Sequence, residues 1–267
     1  MSTTFRDKVR ERWPHYDDRR GIFQAGATPD EMRRVANETQ LDCKLTCRTH
    51  LQAFEAYLPK LYFQGDVADC DFAALPPRYV IKPRCQTGVL MLMDRGTDLK
   101  TGAAFAPEEI RAFFARQWCY RGLNNHVIVE EMVENRDGSP CVSQFKCLTF
   151  HGRVEYIHYV TVGYDLGCVA YDYDRDWRRA ALYHSAQPIE REIARPAHFD
   201  RVITLAEQLA DYYRGWTGIE HVRVDLFDSD RGPVFGEYAG GTNGGEGFTD
   251  EAQRLLGALW RGGAGPS

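Results

Sequence analysis

A chain of 267 residues, 43% hydrophobic and 27% charged, has ample material for a buried core in one large domain or two small ones. Its net charge of −5 excludes a general nucleic-acid surface, because an acidic chain that binds a polyanion must gather its lysines and arginines in one pocket. No apolar run is long enough to span a membrane, and the opening MSTTFRDKVRER lacks the apolar stretch of a signal peptide, so a cytoplasmic protein without a membrane span is expected.

In chain order, the charged first twenty residues predict a peripheral helix or a loose arm. Thr28-Pro29-Asp30-Glu31 has capping-box spacing with proline at the first helical position. Helical character continues, with a break, from Leu41 to Tyr57, and a short strand opens at Tyr62-Phe63. Asp66 to Pro77 reads as a loop, and Arg78 to Pro83 (RYVIKP) as a strand stopped by proline. The apolar segment Val89 to Met93 lies between the loops Cys85–Gly88 and Asp94–Thr97. A helix begins at Pro107, with Ile110, Phe113, Phe114 and Trp118 at the helical period. Val127 to Val133 is the next strand, closed by Asn135–Gly138. Three more strands follow near Val142–Phe150, Val154–Val162 and Cys168–Tyr173, with a tight turn at His151-Gly152. Phe199 to Tyr213 forms an amphipathic helix, Asp250 to Trp260 a final one, and the tail from Gly262 is flexible. Mixed helix and strand with antiparallel neighbours in the second half favours α+β over a doubly wound sheet.

The eight cysteines form no CxxC pair, and Cys43 and Cys47 are one helical turn apart with no histidine pair close by, so reduced and mostly buried thiols are expected. The eight histidines are dispersed, which favours surface or hydrogen-bonded roles over metal ligation.

Between the last two helices, His221 to Phe248 reads as two strands and a turn followed by a glycine-rich loop. Arg223 and Asp225 share one strand face, and the turn Asp228–Gly232 folds Glu237 back beside them. Two carboxylates and an arginine are costly to bury without a ligand, and hard oxygen donors suit Mg²⁺. The segment alone fits either a metal-binding pair or a solvated turn. Lys82 is likewise unexpected in mid-strand beside Val80 and Ile81, unless it snorkels at an edge or its amine reaches an anion.

Five motifs in this order, VIKP, IVEEMV, FKCLTFHGR, YDYDRDW and VRVDLF with VFGEY, resemble the ATP-grasp superfamily, and more narrowly its TupA-like branch, from about Asp42 to Leu256. The resemblance implies two α+β lobes that clasp ATP between them. It divides the chain into a largely helical N-terminal region (1–75), a small lobe (76–133), a large lobe with the Mg/ATP site (134–261) and the tail (262–267). It makes Lys82, Lys44 and Lys146 nucleotide contacts. The stretch around Glu130, Glu131, Met132 and Val133 becomes the hinge whose backbone pairs with adenine, with Glu134 or Asp137 near the ribose. Asp225 and Glu237 become Mg²⁺ ligands, joined by Asn243, because the family's usual asparagine position is Ala239 here. Gln144 stands where the family usually has aspartate, Cys85–Gly88 is poor in glycine for a phosphate-covering loop, and the role of YDYDRDW is open, including a purely structural one.

Arg223 and Lys146 are the implied catalytic cations, the guanidinium suiting a phosphate or a developing acyl-phosphate oxyanion. The implied activity is an ATP- and Mg²⁺-dependent ligase joining a small-molecule carboxylate to an amine through an acyl phosphate. Its setting would be the biosynthesis of a cell-surface polymer or a peptide-like natural product. No Ser-His-Asp or Cys-His set competes with that chemistry, which rests on positioning and cations. A kinase on the same nucleotide lobes and a degenerate nucleotide-binding protein are the alternatives.

Overall fold

A computed structural model describes residues 4–12, 44–84, 89–116, 125–135, 140, 143–162 and 168–261. The expected helix start at Thr28–Glu31, the Cys85–Gly88 loop, Trp118, Asp137 and the tail lie outside them. The chain divides into two compact units, Arg19–Glu134 and Met1–Asp18 with Asn135–Ser267. Among the described residues, no helix is long and apolar enough to cross a membrane.

In the unit Arg19–Glu134, helix α2 (Lys44–His50; α1 belongs to the other unit) runs into a 3₁₀ turn at Gln52–Tyr57. Strands β1 (Leu61–Asp66), β2 (Arg78–Pro83), β3 (Met91–Asp94), β4 (Thr97–Asp98) and β5 (His126–Glu130) form an antiparallel sheet in the order β1-β5-β2-β3-β4. Alternation along β2 sends Tyr79 and Ile81 into a core with Met91, Met93, Val127 and Val129, against Ile110 and Phe114 of α3 (Pro107–Ala115). Arg78, Val80 and Lys82 therefore share the opposite, half-buried face. The β3–β4 turn is the mirror-image kind, with Arg95 and Gly96 both at positive φ (49° and 83°). The strand expected over Val127–Val133 stops at Glu130, because its pairing with Leu61 and with Val80 ends there; Glu131, Met132 and Val133 carry no strand.

In the other unit, β6 (Gln144–Phe150), β7 (Arg153–Val162), β8 (Cys168–Asp174), β9 (His221–Ser229) and β10 (Gly232–Ala239) form an antiparallel sheet in the order β10-β9-β6-β7-β8. Helix α4 (Phe199–Thr217) crosses one face; its Leu209 carbonyl accepts the Tyr238 hydroxyl at 2.8 Å, and the Tyr213 and Tyr238 rings lie 5.1 Å apart. The helix runs past the expected Tyr213 to Gly218, whose left-handed φ of 68° ends it with its N–H on the Arg214 carbonyl. The His151-Gly152 turn appears as expected, both residues at positive φ.

Helix α1 (Phe5–Arg12) is the helix expected within the charged first twenty residues, docked by one face and not a loose arm. Thr4 and Asp7 cap it reciprocally, Thr4 N–H on Asp7 Oδ2 at 2.8 Å and Asp7 N–H on Thr4 Oγ1 at 3.2 Å. Its two apolar residues, Phe5 and Val9, are one turn apart and fully buried, so the charged positions face outward. Phe5 sits among Phe150, Phe248, His221 and Trp260 of α5 (Asp250–Arg261).

His221 is fully buried there, its Nδ1 hydrogen-bonded to the Thr149 carbonyl at 2.8 Å and its Nε2 accepting from the Thr242 hydroxyl at 2.9 Å. Burial holds its pKa down to about 3, so it folds neutral. Its folded pKa lies below the ordinary 6.5, so the unfolded chain takes up the proton first, and stability is lost as pH falls from about 6.5 toward 3. The loss should be on the order of 1 kcal/mol per pH unit. Urea unfolding between pH 7 and pH 4 should show this slope flattened in His221→Gln; an unchanged slope would exclude His221 as its source.

Cys47, Cys70 and Cys147 are buried, and burial pushes the Cys70 thiol up to about 11.

Candidate functional site

The sheet of the larger unit carries one ionisable residue on each strand in a single row. Register pairs Glu237 of β10 with Asp225 of β9, Asp225 with Lys146 of β6, Lys146 with His158 of β7, and His158 with Asp172 of β8. Residues paired across antiparallel strands stand on one face, here the face opposite α4.

Gly236 makes the first of these pairs possible. The turn alone would set Gly236 opposite Asp225 and Glu237 opposite Val224, on the face that α4 covers. A one-residue bulge between Phe235 and Glu237 restores Glu237 to the charged face. A side chain at Gly236 would place its Cβ 3.2 Å from the Asp225 carbonyl oxygen.

Asp225 is buried, and Arg223 grips it with both arms: Nε on Oδ1 at 2.7 Å and Nη2 on Oδ2 at 2.8 Å. Lys146 Nζ stands 3.7 Å from Asp225 Oδ2, and Arg223 Nη2 stands 3.9 Å from Glu237 Oε1. Burial works against the Arg223 charge, but Asp225 first, then Tyr183 and Glu237, outweigh burial, so the guanidinium is held charged well above its usual range. Asp225, Glu237, Arg223 and Lys146 thus stand together on one face of the sheet.

Among the described residues no three His, Cys, Asp or Glu side chains gather to hold a metal. The Asp225–Glu237 pair nevertheless fits Mg²⁺, which takes one or two carboxylates and completes its shell with water and phosphate oxygens. Two carboxylates directly opposite each other repel unless a cation lies between them, and Arg223 occupies that role here. A metal would take the guanidinium's place on Asp225. Asn243 lies in a 3₁₀ turn at Thr242–Gly245, with its side chain outside the described part. That glycine-rich turn is packed against α1: a Cβ on Gly245, at φ 73°, would lie 2.7 Å from Arg6 Cα.

In the unit Arg19–Glu134, Lys82 and Glu130 lie diagonally on one face of the sheet, because Lys82 pairs with Ile128 and Val80 with Glu130. The Lys82 ammonium is ion-paired with Glu130 Oε1, and Arg48 Nη1 stands 3.6 Å from Glu130 Oε2. Two cations thus share one buried carboxylate and carry a net positive charge. Lys44 sits one helical turn before Arg48, on the same face of α2. After β5, Glu131 and Lys60 are tied twice, Glu131 N–H on the Lys60 carbonyl at 2.8 Å and Lys60 N–H on Glu131 Oε2 at 3.1 Å. Met132 and Val133 are buried, and among the described residues neither makes a backbone–backbone hydrogen bond. Glu134 binds Arg78 at 2.9 Å.

Arg48 was missed in the sequence because a helix-surface arginine carries no signal until Glu130 is folded onto it. His158 and Asp172, separated by fourteen positions, are hydrogen-bonded at 2.6 Å and show only through the register of β7 and β8.

The family model for the TupA-like ATP-grasp proteins matches residues 30–261. No curated protein sequence matches the chain. Among solved structures, D-cycloserine synthetase DcsG is 18% identical, with 93% of this chain and 80% of that one covered and a TM-score of 0.47. The D-alanine–D-alanine ligase from Bacillus anthracis is 14% identical, covering 77% of this chain and 58% of its own, at a TM-score of 0.43. The L-amino acid ligase from Bacillus licheniformis is 15% identical, covering 84% and 49%, at a TM-score of 0.45. The chain therefore spans about half the length of these last two proteins.

Proposed function

The chain belongs to the TupA-like ATP-grasp family, and on that premise we propose that it is an ATP- and Mg²⁺-dependent ligase joining a small-molecule carboxylate to an amine. The observation that carries this reading is the row Glu237–Asp225–Lys146 with Arg223 beside it, two carboxylates and two cations on one sheet face. In this reading the substrate carboxylate attacks the γ-phosphate of ATP, ADP leaves, and the amine displaces phosphate from the acyl phosphate. Mg²⁺ on Asp225 and Glu237 would neutralise charge on the phosphoryl oxygens.

Lys146 and Arg223 supply fixed positive charge for those oxygens. Lys82 and Arg48, oriented by Glu130, contact the nucleotide phosphates, with Lys44 on the same helix face as Arg48. The backbone of Met132 and Val133 reads the adenine edge, and Glu130 and Glu131 hold the segment that presents it. Asn243 is a candidate third oxygen donor. The enzyme would act in the cytoplasm, in keeping with its reduced buried thiols, and would serve assembly of a cell-surface polymer or a peptide-like natural product.

Purified protein with ATP, Mg²⁺ and paired amino acids should release ADP and an amide seen by mass spectrometry; a phosphorylated product instead would make it a kinase. One observation favours a second reading, a nucleotide binder without turnover: both Asp225 oxygens are taken by Arg223, while Gln144 and Ala239 depart from the family pattern. Tight ATP binding with no ADP release across the panel would establish that reading.

A further inference from the structure

Resting on the ligase reading, amide formation needs one more group, because the attacking nitrogen must give up a proton. Asp225 and Glu237 are committed to the metal, and Lys146 and Arg223 are cations. We propose that His158, oriented by Asp172, is the base that takes this proton.

His158 stands next to Lys146 in the charged row, and two strands, roughly 10 Å, from Asp225. In the proposed step the acyl phosphate lies over Lys146, between Asp225 and His158. The His158 side chain is 12% exposed, its Nδ1 2.6 Å from Asp172 Oδ1. Asp172 is fully buried, and its other oxygen accepts the N–H groups of Leu182 at 2.9 Å and Tyr183 at 2.7 Å. Held by two backbone donors, the carboxylate cannot turn away from the ring. A carboxylate accepts, so Nδ1 carries the proton and Nε2 presents its lone pair. Among the described residues Nε2 has no hydrogen-bond partner. The charged and titratable groups facing the ring are Lys146 from β6, Asp172 from β8 and Tyr183, whose ring centroid lies 4.2 Å away.

In the step itself the amine nitrogen forms the C–N bond to the acyl carbon. The C–O bond to phosphate breaks, and its electron pair leaves with inorganic phosphate. Nε2 takes the nitrogen's proton and passes it to solvent. His158 is then a catalytic residue and Asp172 a positioning residue.

The test presents ATP, Mg²⁺ and single amino acids as the acid, with either hydroxylamine or a second amino acid as the acceptor. Hydroxylamine is unprotonated at neutral pH and traps an acyl phosphate without a base. His158→Asn keeps an N–H donor toward Asp172 and deletes Nε2. It should hold hydroxamate formation within about twofold while lowering amide formation about 10²–10⁴-fold. His158→Gln is a second variant with the same expected split. In Asp172→Asn the amide oxygen must serve the two backbone N–H groups, which turns its NH₂ toward Nδ1 and moves the ring proton to Nε2. Its amide rate should fall by a similar factor, with hydroxamate retained.

Equal loss of both products, or an unchanged amide rate in the His158 variants, overturns the proposal. Wild-type protein that gives no hydroxamate with any acid overturns the ligase reading itself, and the role of His158 falls with it.

Discussion

Glu237→Gln is expected to lower ADP release roughly a thousandfold, the several kcal/mol that a metal's charge contributes at a transferring phosphoryl group. Its stability should stay within about 0.5 kcal/mol of wild type, because Glu237 is 33% exposed and meets Arg223 only at 3.9 Å. Asp225→Asn should lose the same activity and also about 3–5 kcal/mol of stability, because it strips the buried Arg223 guanidinium of its partner. Steady-state ADP release at saturating ATP and Mg²⁺, read beside denaturant unfolding, separates the two carboxylates. An unchanged rate in Glu237→Gln would remove Glu237 from the metal site.

Strand and helix identity was largely legible, since it depends on local period: the alternation in Arg78–Pro83 and the helical spacing from Phe199 to Tyr213 both appear in the fold. The pairing of Asp225 with Glu237 was expected from the turn, yet the turn alone would have set Glu237 on the wrong face. The bulge at Gly236 decides the matter, and nothing in a glycine read alone announces a bulge. The full row from Glu237 to Asp172 depends on the register of four neighbouring strand pairs, which a one-residue slip anywhere would scramble. His158 therefore looked like one dispersed histidine among eight. The burial of α1 was hidden for another reason: two apolar residues among eight positions carry little weight until an aromatic cluster forms around Phe5. Arg48 and Glu130 are far apart in sequence, and only the sheet's position beside α2 makes them a pair.

Arg223→Met should reveal whether the guanidinium and the metal compete for Asp225. The substitution leaves a carboxylate that is 2% exposed with Lys146, at 3.7 Å, as its remaining cation. Removing one partner of a buried ion pair costs about 3–5 kcal/mol, and a marked fall in melting temperature is expected. Mg²⁺ without nucleotide should then restore part of that loss, since a ligand that binds only the folded state stabilises it by mass action. Wild-type protein should respond much less, because there the metal must first displace a bidentate arginine. The double variant Arg223→Met, Asp225→Asn should lose the Mg²⁺ response, which isolates Asp225 as the ligand. Matched ionic strength in NaCl controls for screening, which would lift all variants alike. Equal Mg²⁺ stabilisation of wild type and Arg223→Met would mean that the arginine and the metal do not share the carboxylate. No stabilisation of Arg223→Met would mean that Asp225 is held by Arg223 for the fold alone, and the nucleotide-binding reading without turnover would gain its strongest support.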